Sequence, residues 1–328
     1  MEWTPDKKRT NPRECIEAQL HLRFDMGNAF NSFKVPPVNG TNFNVSFVMK
    51  SIIPIIAFAL SLTITEAAEL RTEKSYRIKE RGAHHRLWET VELVDAPGGG
   101  KTERIRSYME IATGMHYRGK GGEWLESAEE IEILPNGAGA AASQGSHKVL
   151  FPPDINEGQI ELNLADGKWL RSRVMGIAYF DLESGKNVLI AETTNSIGSV
   201  VGSNVVVYAD AIVGDCRADI RYTYRRSGFE QDVIIRTAPP EPSEYGLNPE
   251  TTVIQILTEF FSPPEPKKER KTWARMDAPG NEEADEYLNF GELTFGLGRA
   301  FQVGEERSVG KGTRVRKQWL KLENRDWL

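Results

Sequence analysis

The sequence predicts a protein built almost entirely from β-strands, in a large antiparallel, sandwich-like architecture. From residue 76 onward, short runs of alternating or continuous hydrophobicity are separated by Gly, Pro, Asn and Asp. Almost no segment keeps a helical period for three turns. We therefore expect little helix outside a short N-terminal signal segment.

Four β-hairpins are predicted, because paired strand-like runs flank turn residues. They join 86–94 to 104–111, 159–164 to 168–174, 176–180 to 188–192, and 218–225 to 229–236. In the last hairpin, a two-residue loop at 227–228 places Tyr222 opposite Val233 on one face. It places Thr223 opposite Asp232 on the other face, and a four-residue loop shifts both pairs by two. Either register gives one apolar face and one charged face.

The C-terminal third is divided by two Pro-rich stretches, 238–249 and 262–266, which are typical of linkers or long surface loops. The second continues into a basic run, 267–271, and an acidic stretch, 277–287, is also predicted to be a loop. Strands are expected at 251–261, 288–301 and 309–322.

These boundaries predict a main β domain at 68–237, followed by a Pro-rich connection and a C-terminal β section at 238–328. The sequence stops at Leu328 without a polar tail. An interpretation as a truncated piece of a longer protein therefore stays open.

A complete secretory signal peptide is predicted inside the chain, at residues 49–67. A start and a positive charge at 49–50 precede an apolar run at 52–62, and small residues precede a cleavage site before Ala68. The sequence therefore predicts an exported protein, found in the periplasm, at the cell surface or outside the cell.

A membrane anchor is the competing interpretation of this segment. Residues 51–65 would cover about 22 Å as a helix, against about 30 Å of membrane hydrocarbon. The short length favours a cleaved signal, and membrane contact is expected only through this segment if it stays uncleaved. Residues 1–48 are then predicted to be a disordered upstream extension.

Charge and cysteine content limit the function classes. Of the 41 basic and 47 acidic residues, 7 and 6 lie before residue 68, which leaves a net charge of −7 on the predicted mature chain. This charge gives no electrostatic reason to expect nucleic acid as a partner. Cys216 is alone in that part of the chain and is predicted to be a buried apolar residue without a disulfide.

A glycine-rich segment, 97–102, resembles a phosphate-binding loop only in part. Asp95 stands where such a loop needs its first Gly, and predicted strands flank the segment on both sides. We therefore predict a hairpin turn and no nucleotide or other cofactor.

The histidines also lack the spacing of a metal site. His84 and His85 are adjacent on a predicted strand and so point to opposite faces, whereas His116 and His147 are isolated in sequence. No metal is predicted.

Glu230 and Asp232 form the best candidate acid–base pair. Their spacing on a strand puts both carboxylates on one face about 7 Å apart, within the range used by glycosidases. Arg221 and Arg225 are predicted on the same face, so a solvated ladder of ion pairs is the favoured explanation.

Aromatic residues suggest a candidate ligand-binding surface. Tyr117 and Trp124 are expected to lie close across a Gly-rich turn, and with Trp88 they could stack on a sugar ring. Trp169 and Tyr179 are further candidates for this surface. Core packing is the alternative and is favoured.

Five segments together resemble an uncharacterised family of secreted bacterial proteins. They are Arg81–Trp88, Ala112–Tyr117, Ser143–Lys148, Gly228–Val233 and Thr258–Phe261. The resemblance covers 75–328 and implies a β-rich, exported module that sometimes leads larger, repeat-bearing cell-surface proteins. It implies no reaction, ligand or catalytic residue.

The sequence therefore predicts an exported, non-catalytic envelope or cell-surface module that binds envelope proteins or extracellular glycans. The alternative is a secreted carbohydrate-active enzyme that uses Glu230 and Asp232 as its carboxylate pair. That alternative requires both side chains to lie in a cleft with aromatic walls.

Overall fold

The computed structural model describes residues 2–3, 18–26, 74–274, 282–296, 298–304 and 312–321. The predicted signal peptide, 49–67, lies outside these residues. The described strands are β1 (Glu2–Trp3), β2 (Ala18–Met26), β3 (Lys74–Gly82), β4 (His85–Asp95), β5 (Lys101–Ile111), β6 (His116–Arg118), β7 (Trp124–Glu126), β8 (Glu132–Ile133), β9 (Ala140–Ala142), β10 (Lys148–Phe151), β11 (Ile160–Asn163), β12 (Trp169–Asp181), β13 (Asn187–Thr193), β14 (Gly198–Val201), β15 (Val205–Gly214), β16 (Arg217–Arg225), β17 (Gly228–Ile235), β18 (Thr252–Phe260), β19 (Lys267–Ala274), β20 (Glu282–Asn289), β21 (Leu293–Phe295), β22 (Gly298–Gln302) and β23 (Thr313–Val315). Short 3-10 helices lie at Pro135–Gly137 and Pro242–Tyr245.

The structure confirms a mainly β, antiparallel fold of the sandwich-like class. All described strands except β3 to β7 belong to one large sheet. Strand β12 pairs with β18 on one edge, and with β11 and then β13 on the other. From β13 the sheet continues through β15, β16 and β17 to β2, which pairs in turn with β21 and β22.

The core lies where distant parts of this sheet pack face to face. Phe151 on β10 contacts both Tyr222 on β16 and Phe229 on β17, with ring centroids 6.1 and 6.0 Å apart. Tyr222 also stacks on Phe229 at 5.5 Å, and all three rings are at most 3% exposed. These aromatic contacts join the strands into two layers around one core.

The four predicted hairpins are confirmed by strand pairing. In the last one the loop residues are Arg226 and Ser227, so Tyr222 lies opposite Gln231 and Arg221 opposite Asp232. The register is therefore shifted by two from the two-residue loop predicted at 227–228. The division into an apolar and a charged face survives, because a shift of two keeps every side chain on its face.

Strands β19 and β20 form where the sequence predicts no strand. The basic run from Lys267 lies opposite the acidic strand, with Arg270 across from Glu286 and Lys271 across from Asp285. Each segment is loop-like by composition alone, but opposite charges across the pair stabilise both. The predicted loop at 277–287 is therefore wrong for its described part from Glu282 onward.

Strand β2 lies inside the stretch predicted to be a disordered extension. It pairs with β17 along all of Gly228–Ile235, with Leu20 opposite Val233 and Phe24 opposite Phe229. Apolar Leu20, Leu22 and Phe24 alternate with polar residues in the sequence, which is the pattern of a strand. With β1, which pairs with β18, the structure therefore gives eleven residues of that extension a place in the large sheet.

The predicted boundary at 237 falls inside this sheet. Strand β18 follows the first Pro-rich stretch, yet it pairs with β12 from Ser172 opposite Phe260 to Asp181 opposite Thr252. The C-terminal section thus shares its sheet and its core with the preceding residues.

Two small sheets stand apart from the large one. Strands β3, β4 and β5 form a three-stranded antiparallel sheet with β4 in the middle, and β6 pairs with β7 in a short hairpin. These two sheets, and the loop that precedes β10, contain most of the residues discussed below.

Candidate functional site

The predicted carboxylate pair lies in the charged face of β16 and β17. Asp232 accepts hydrogen bonds from Arg221, with distances of 3.0 Å from Nε and 2.9 Å from Nη2, and its side chain is 1% exposed. Glu230 lies 3.3 Å from Arg225 and its side chain is 10% exposed. The ladder of ion pairs is therefore present, but it is buried where the sequence predicts a solvated one.

Burial follows from the position of β17 in the sheet. Its two edges are covered by β16 and β2, and Thr223 and Arg23 lie across from Glu230. Neither Glu230 nor Asp232 lines either of the two cavities described among these residues. Each carboxylate is therefore paired with an arginine within the large sheet, away from both of these cavities.

The aromatic residues do not form one surface. Tyr117 lies opposite Leu125, and Trp124 opposite Arg118, so Tyr117 and Trp124 point to opposite faces of the β6–β7 hairpin. The Arg118 guanidinium covers the Trp124 ring at 3.8 Å from its centroid. Trp88 lies on a different sheet, where it stacks on Tyr108.

The two further aromatic candidates are also separate. Trp169 is 41% exposed near the start of β12, whereas Tyr179 is 4% exposed and donates a hydrogen bond to the Pro240 carbonyl at 2.6 Å. Burial raises the pKa of Tyr179 far above its ordinary range. Tyr179 is therefore part of the core.

An apolar cavity of about 310 Å³ lies between β18 and the segment that follows β23. Phe260, Phe295 and Trp319 form much of its wall, and Lys317 lies at its rim. The Lys317 ammonium is 2.5 Å from the Asp285 carboxylate, and both side chains are at most 6% exposed. Burial lowers the pKa of Lys317, while Asp285 opposes that shift.

The three-stranded sheet is the most exposed part of the described chain. All eleven residues of β5 are exposed, including Ile105 at 48%, Tyr108 at 48% and Met109 at 56%. The β4–β5 turn contains Gly99 and Gly100 with φ of 83° and 86°, and the Ala96 amide donates to the Gly100 carbonyl at 2.9 Å. This turn is the glycine-rich segment, and it closes a hairpin as predicted.

Each face of this sheet carries apolar and charged side chains. On one face Trp88 and Tyr108 stack with centroids 6.2 Å apart, and Glu110 accepts a hydrogen bond from the Trp88 indole at 2.8 Å. On the other face Val91 lies opposite Ile105 and Leu87 lies opposite Met109. Exposed apolar patches of this kind mark interaction surfaces in soluble proteins.

The base of the sheet is fixed to the body by histidines. The Gly114 amide donates to His84 Nδ1 at 3.0 Å, and His116 Nδ1 lies 2.8 Å from the Gly82 carbonyl. The His116 ring is fully buried. Gly114 has φ of 67°, and a Cβ there would lie 2.0 Å from the Arg226 carbonyl oxygen, so only Gly fits.

His147 lies next to this junction. Its ring packs on Tyr224 with centroids 4.8 Å apart, and the Tyr224 hydroxyl donates to the His147 carbonyl at 2.9 Å. Among the described residues, neither ring nitrogen has a hydrogen-bond partner of normal geometry. The Gly228 backbone nevertheless lies close to the ring and acts to raise the pKa of His147, against the lowering caused by burial. Burial of the ring lowers the pKa of His147 to about 4.

The histidines isolated in sequence therefore share one junction. Four of the five segments that carry the family resemblance meet there, and they contribute Gly82, Gly114, Ser146 and Gly228. The sequence did not predict this convergence, because it depends on contacts between residues that are far apart in the chain. The repeated Gly–His proximity, as in 82–85, 114–116 and 145–147, is the signal that could have found it.

The contacts at the junction are hydrogen bonds and ring packing. Within the described ranges, no three His, Cys, Asp or Glu side chains are placed to share an ion. Cys216 is 1% exposed, and burial raises its pKa to about 11. The prediction of a buried, inert cysteine therefore agrees with its position.

No helix in the described part of the chain has the length and apolar character needed to cross a bilayer. Comparison with protein-family models, curated proteins and solved structures finds no match to this chain.

Proposed function

We propose that this chain is an exported, non-catalytic β module that binds another protein by adding a strand to β5. The observation that carries this proposal is the exposure of all eleven β5 residues on an edge that no described strand covers. Strand addition uses the unpaired N–H and C=O groups of such an edge for affinity and the alternating side chains for specificity.

The energetics of a small sheet support this role. Three strands need a packed hydrophobic face for independent stability, and Ile105, Met109 and Ile111 are each about half exposed. Covering these side chains would remove apolar surface from water at about 25 cal/mol per Å². A partner that covers the sheet therefore gains both backbone hydrogen bonds and apolar burial.

Protein binding is favoured over the other two predicted activities. A glycan platform would need Tyr117, Trp124 and Trp88 on one surface, whereas they lie on separate faces and sheets. Glycoside hydrolysis would need Glu230 and Asp232 in a cleft, whereas both are buried against arginines.

We propose export because residues 49–67 have the pattern of a signal peptide and because the chain resembles a family of secreted proteins. Cleavage before Ala68 would remove β2, which the large sheet includes. The intact mass and N-terminal sequence of the native protein test this point. A start near Ala68 supports export by cleavage, and a start at Met1 contradicts it.

Strand addition can be tested with a photo-crosslinking amino acid in the full chain, expressed in its own cells. We would place it at Tyr108 on β5 and, as a matched aromatic control, at Trp169 on the large sheet, where 48% and 41% of the residue are exposed. We expect a defined intermolecular adduct from position 108 and none from 169. Equal yields at both positions, or no adduct at 108, would contradict the proposal.

A further inference from the structure

The hydrogen-bonding pattern of β5 fixes which backbone groups are free for a partner. The Ala96 amide donates to Gly100, and the Ala112 amide donates to His84, at 2.9 and 3.0 Å. Bonded positions alternate along an antiparallel pair, so the even-numbered residues of β5 bond to β4. The odd-numbered residues direct their N–H and C=O groups to the free edge; these are Lys101, Glu103, Ile105, Ser107, Met109 and Ile111.

We propose that the strand added to β5 is the β5 strand of a second copy, antiparallel, with the two-fold axis at Ser107. This inference rests on the proposed function and names its partner. The resulting assembly is a six-stranded sheet formed from two three-stranded sheets.

Charge complementarity favours this partner, and charge together with the length of the overlap favours this register. With the axis at Ser107, Arg104 lies opposite Glu110 of the other copy and Arg106 lies opposite Tyr108. Ile105 then lies opposite Met109. Each of these pairs occurs twice, and no like charges face each other directly, so the self-pairing is favourable on both faces of the sheet.

The backbone pattern agrees with that register. Ser107 is odd-numbered, so the two Ser107 residues that meet at the axis, one from each chain, exchange backbone hydrogen bonds. The pairs made by Arg104 and Arg106 then fall at non-hydrogen-bonded positions, where facing Cα atoms are only about 4.5 Å apart. The charged and aromatic contacts thus occupy the closer positions.

Neighbouring registers fit less well. An axis at Ile105 places Arg104 opposite Arg106, and an axis at Arg106 places that arginine opposite itself, so both oppose like charges. An axis at Tyr108 avoids this but ends the overlap at Ile105. It leaves Glu103 and Arg104 without a facing residue on β5.

Sedimentation of the full chain tests the pairing with two matched variants. Arg104→Glu creates two like-charge pairs with Glu110, and we expect it to weaken dimerisation at least about tenfold. Arg106→Glu makes the same charge change two residues away, opposite Tyr108, and we expect less than about a threefold effect. A monomer at all accessible concentrations, or the reverse order of the two effects, would overturn the proposal.

Single cysteines define the register independently of charge. In a Cys15→Ser background, Ser107→Cys brings two sulfurs together across the axis, where the Cα separation of about 5.5 Å suits a disulfide. Arg106→Cys and Tyr108→Cys are the controls, and we expect the disulfide-linked dimer to be most abundant at 107. A maximum at 106 or 108 would overturn the Ser107 register.

The photo-crosslinker at Tyr108 separates this inference from the proposed function. An adduct of twice the chain mass, whose crosslinked peptide is β5 itself, supports self-pairing. An adduct with a different protein overturns self-pairing and leaves the proposed function standing. The lack of any adduct overturns both.

Discussion

Strands β16 and β5 both contain arginine and tyrosine, but they have opposite environments. Each pairs with a neighbouring strand in a hairpin. Tyr222 on β16 is fully buried, whereas Tyr108 on β5 is 48% exposed. Alternate residues of β16 from Ala218 to Tyr224 form a continuous apolar face, whereas each face of β5 mixes apolar and charged residues. The buried strand and the exposed strand therefore differ both in pattern and in the layers that cover them.

The largest expected contrast comes from removing one tyrosine ring on each strand. Tyr222→Ala leaves a cavity against Phe151 and Phe229, and we expect the free energy of unfolding to fall by about 3–5 kcal/mol. Tyr108→Ala should change it by about 0.5 kcal/mol or less, because the ring is half exposed. Chemical denaturation of dilute protein measures both, and similar losses would show that β5 is covered within one chain.

The second contrast is in how the free energy of unfolding depends on pH, and it concerns His147 beside the junction. The folded pKa of His147, about 4, lies below its ordinary value of 6.5, so the unfolded chain takes up the proton first as pH falls. Stability is present above pH 6.5, and about 3 kcal/mol of it is lost between pH 6.5 and 4. We expect His147→Leu to remove this part of the slope in denaturation measured at several pH values.

The matched control for that experiment is His85→Leu, at a histidine that is partly exposed beside Glu80. It should leave the slope between pH 6.5 and 4 in place. An unchanged slope in His147→Leu would show that His147 is accessible to protons in the folded chain.

A smaller and local effect distinguishes the two sides of β5. The Arg106 amide is directed to β4, so Arg106→Pro removes a ladder hydrogen bond and should lower the local stability of the hairpin by about 1–2 kcal/mol. The Ser107 amide is directed outward, so Ser107→Pro should leave the hairpin intact. Hydrogen exchange of β4 and β5 amides measures both, and equal protection in the two variants would contradict the assigned pattern.

The smallest expected change has the opposite sign. The Tyr222 hydroxyl is buried without a hydrogen-bond partner among the described residues, and burial raises the pKa of Tyr222 well above its ordinary value. Tyr222→Phe removes the unsatisfied group and keeps the ring, so we expect stability to stay equal or to rise by about 1 kcal/mol. A loss above about 1 kcal/mol would indicate a water or another partner at the hydroxyl.

Local patterns predicted most of the strands and the four hairpins, because alternation and turn residues are short-range signals. The same signals failed for Lys267–Ala274 and Glu282–Asn289, where a strand depends on the opposite charge of its neighbour. They also left β2 unassigned, because the signal peptide predicted at 49–67 led to the interpretation of residues 1–48 as a disordered extension.

The candidate site was less predictable than the fold. Glu230 and Asp232 were placed on the correct face, but strand alternation alone does not predict that their ion pairs with Arg225 and Arg221 are buried. The convergence of His84, His116 and His147 likewise depends on contacts between separate elements. The full exposure of β5 was not predicted, because burial depends on which elements pack against a sheet, and local sequence patterns do not specify them.

The pairing of β12 with β18 has a kinetic consequence. Ser172 and Phe260 are 88 positions apart in the chain, and Asp181 and Thr252 are 71 positions apart. Proteins dominated by such non-local contacts fold slowly, because the entropy of the intervening loop is lost before the contacts between the strands can stabilise the chain. The full pairing of β12 with β18 therefore requires residue 260, which is synthesised after all of strands β13 to β17.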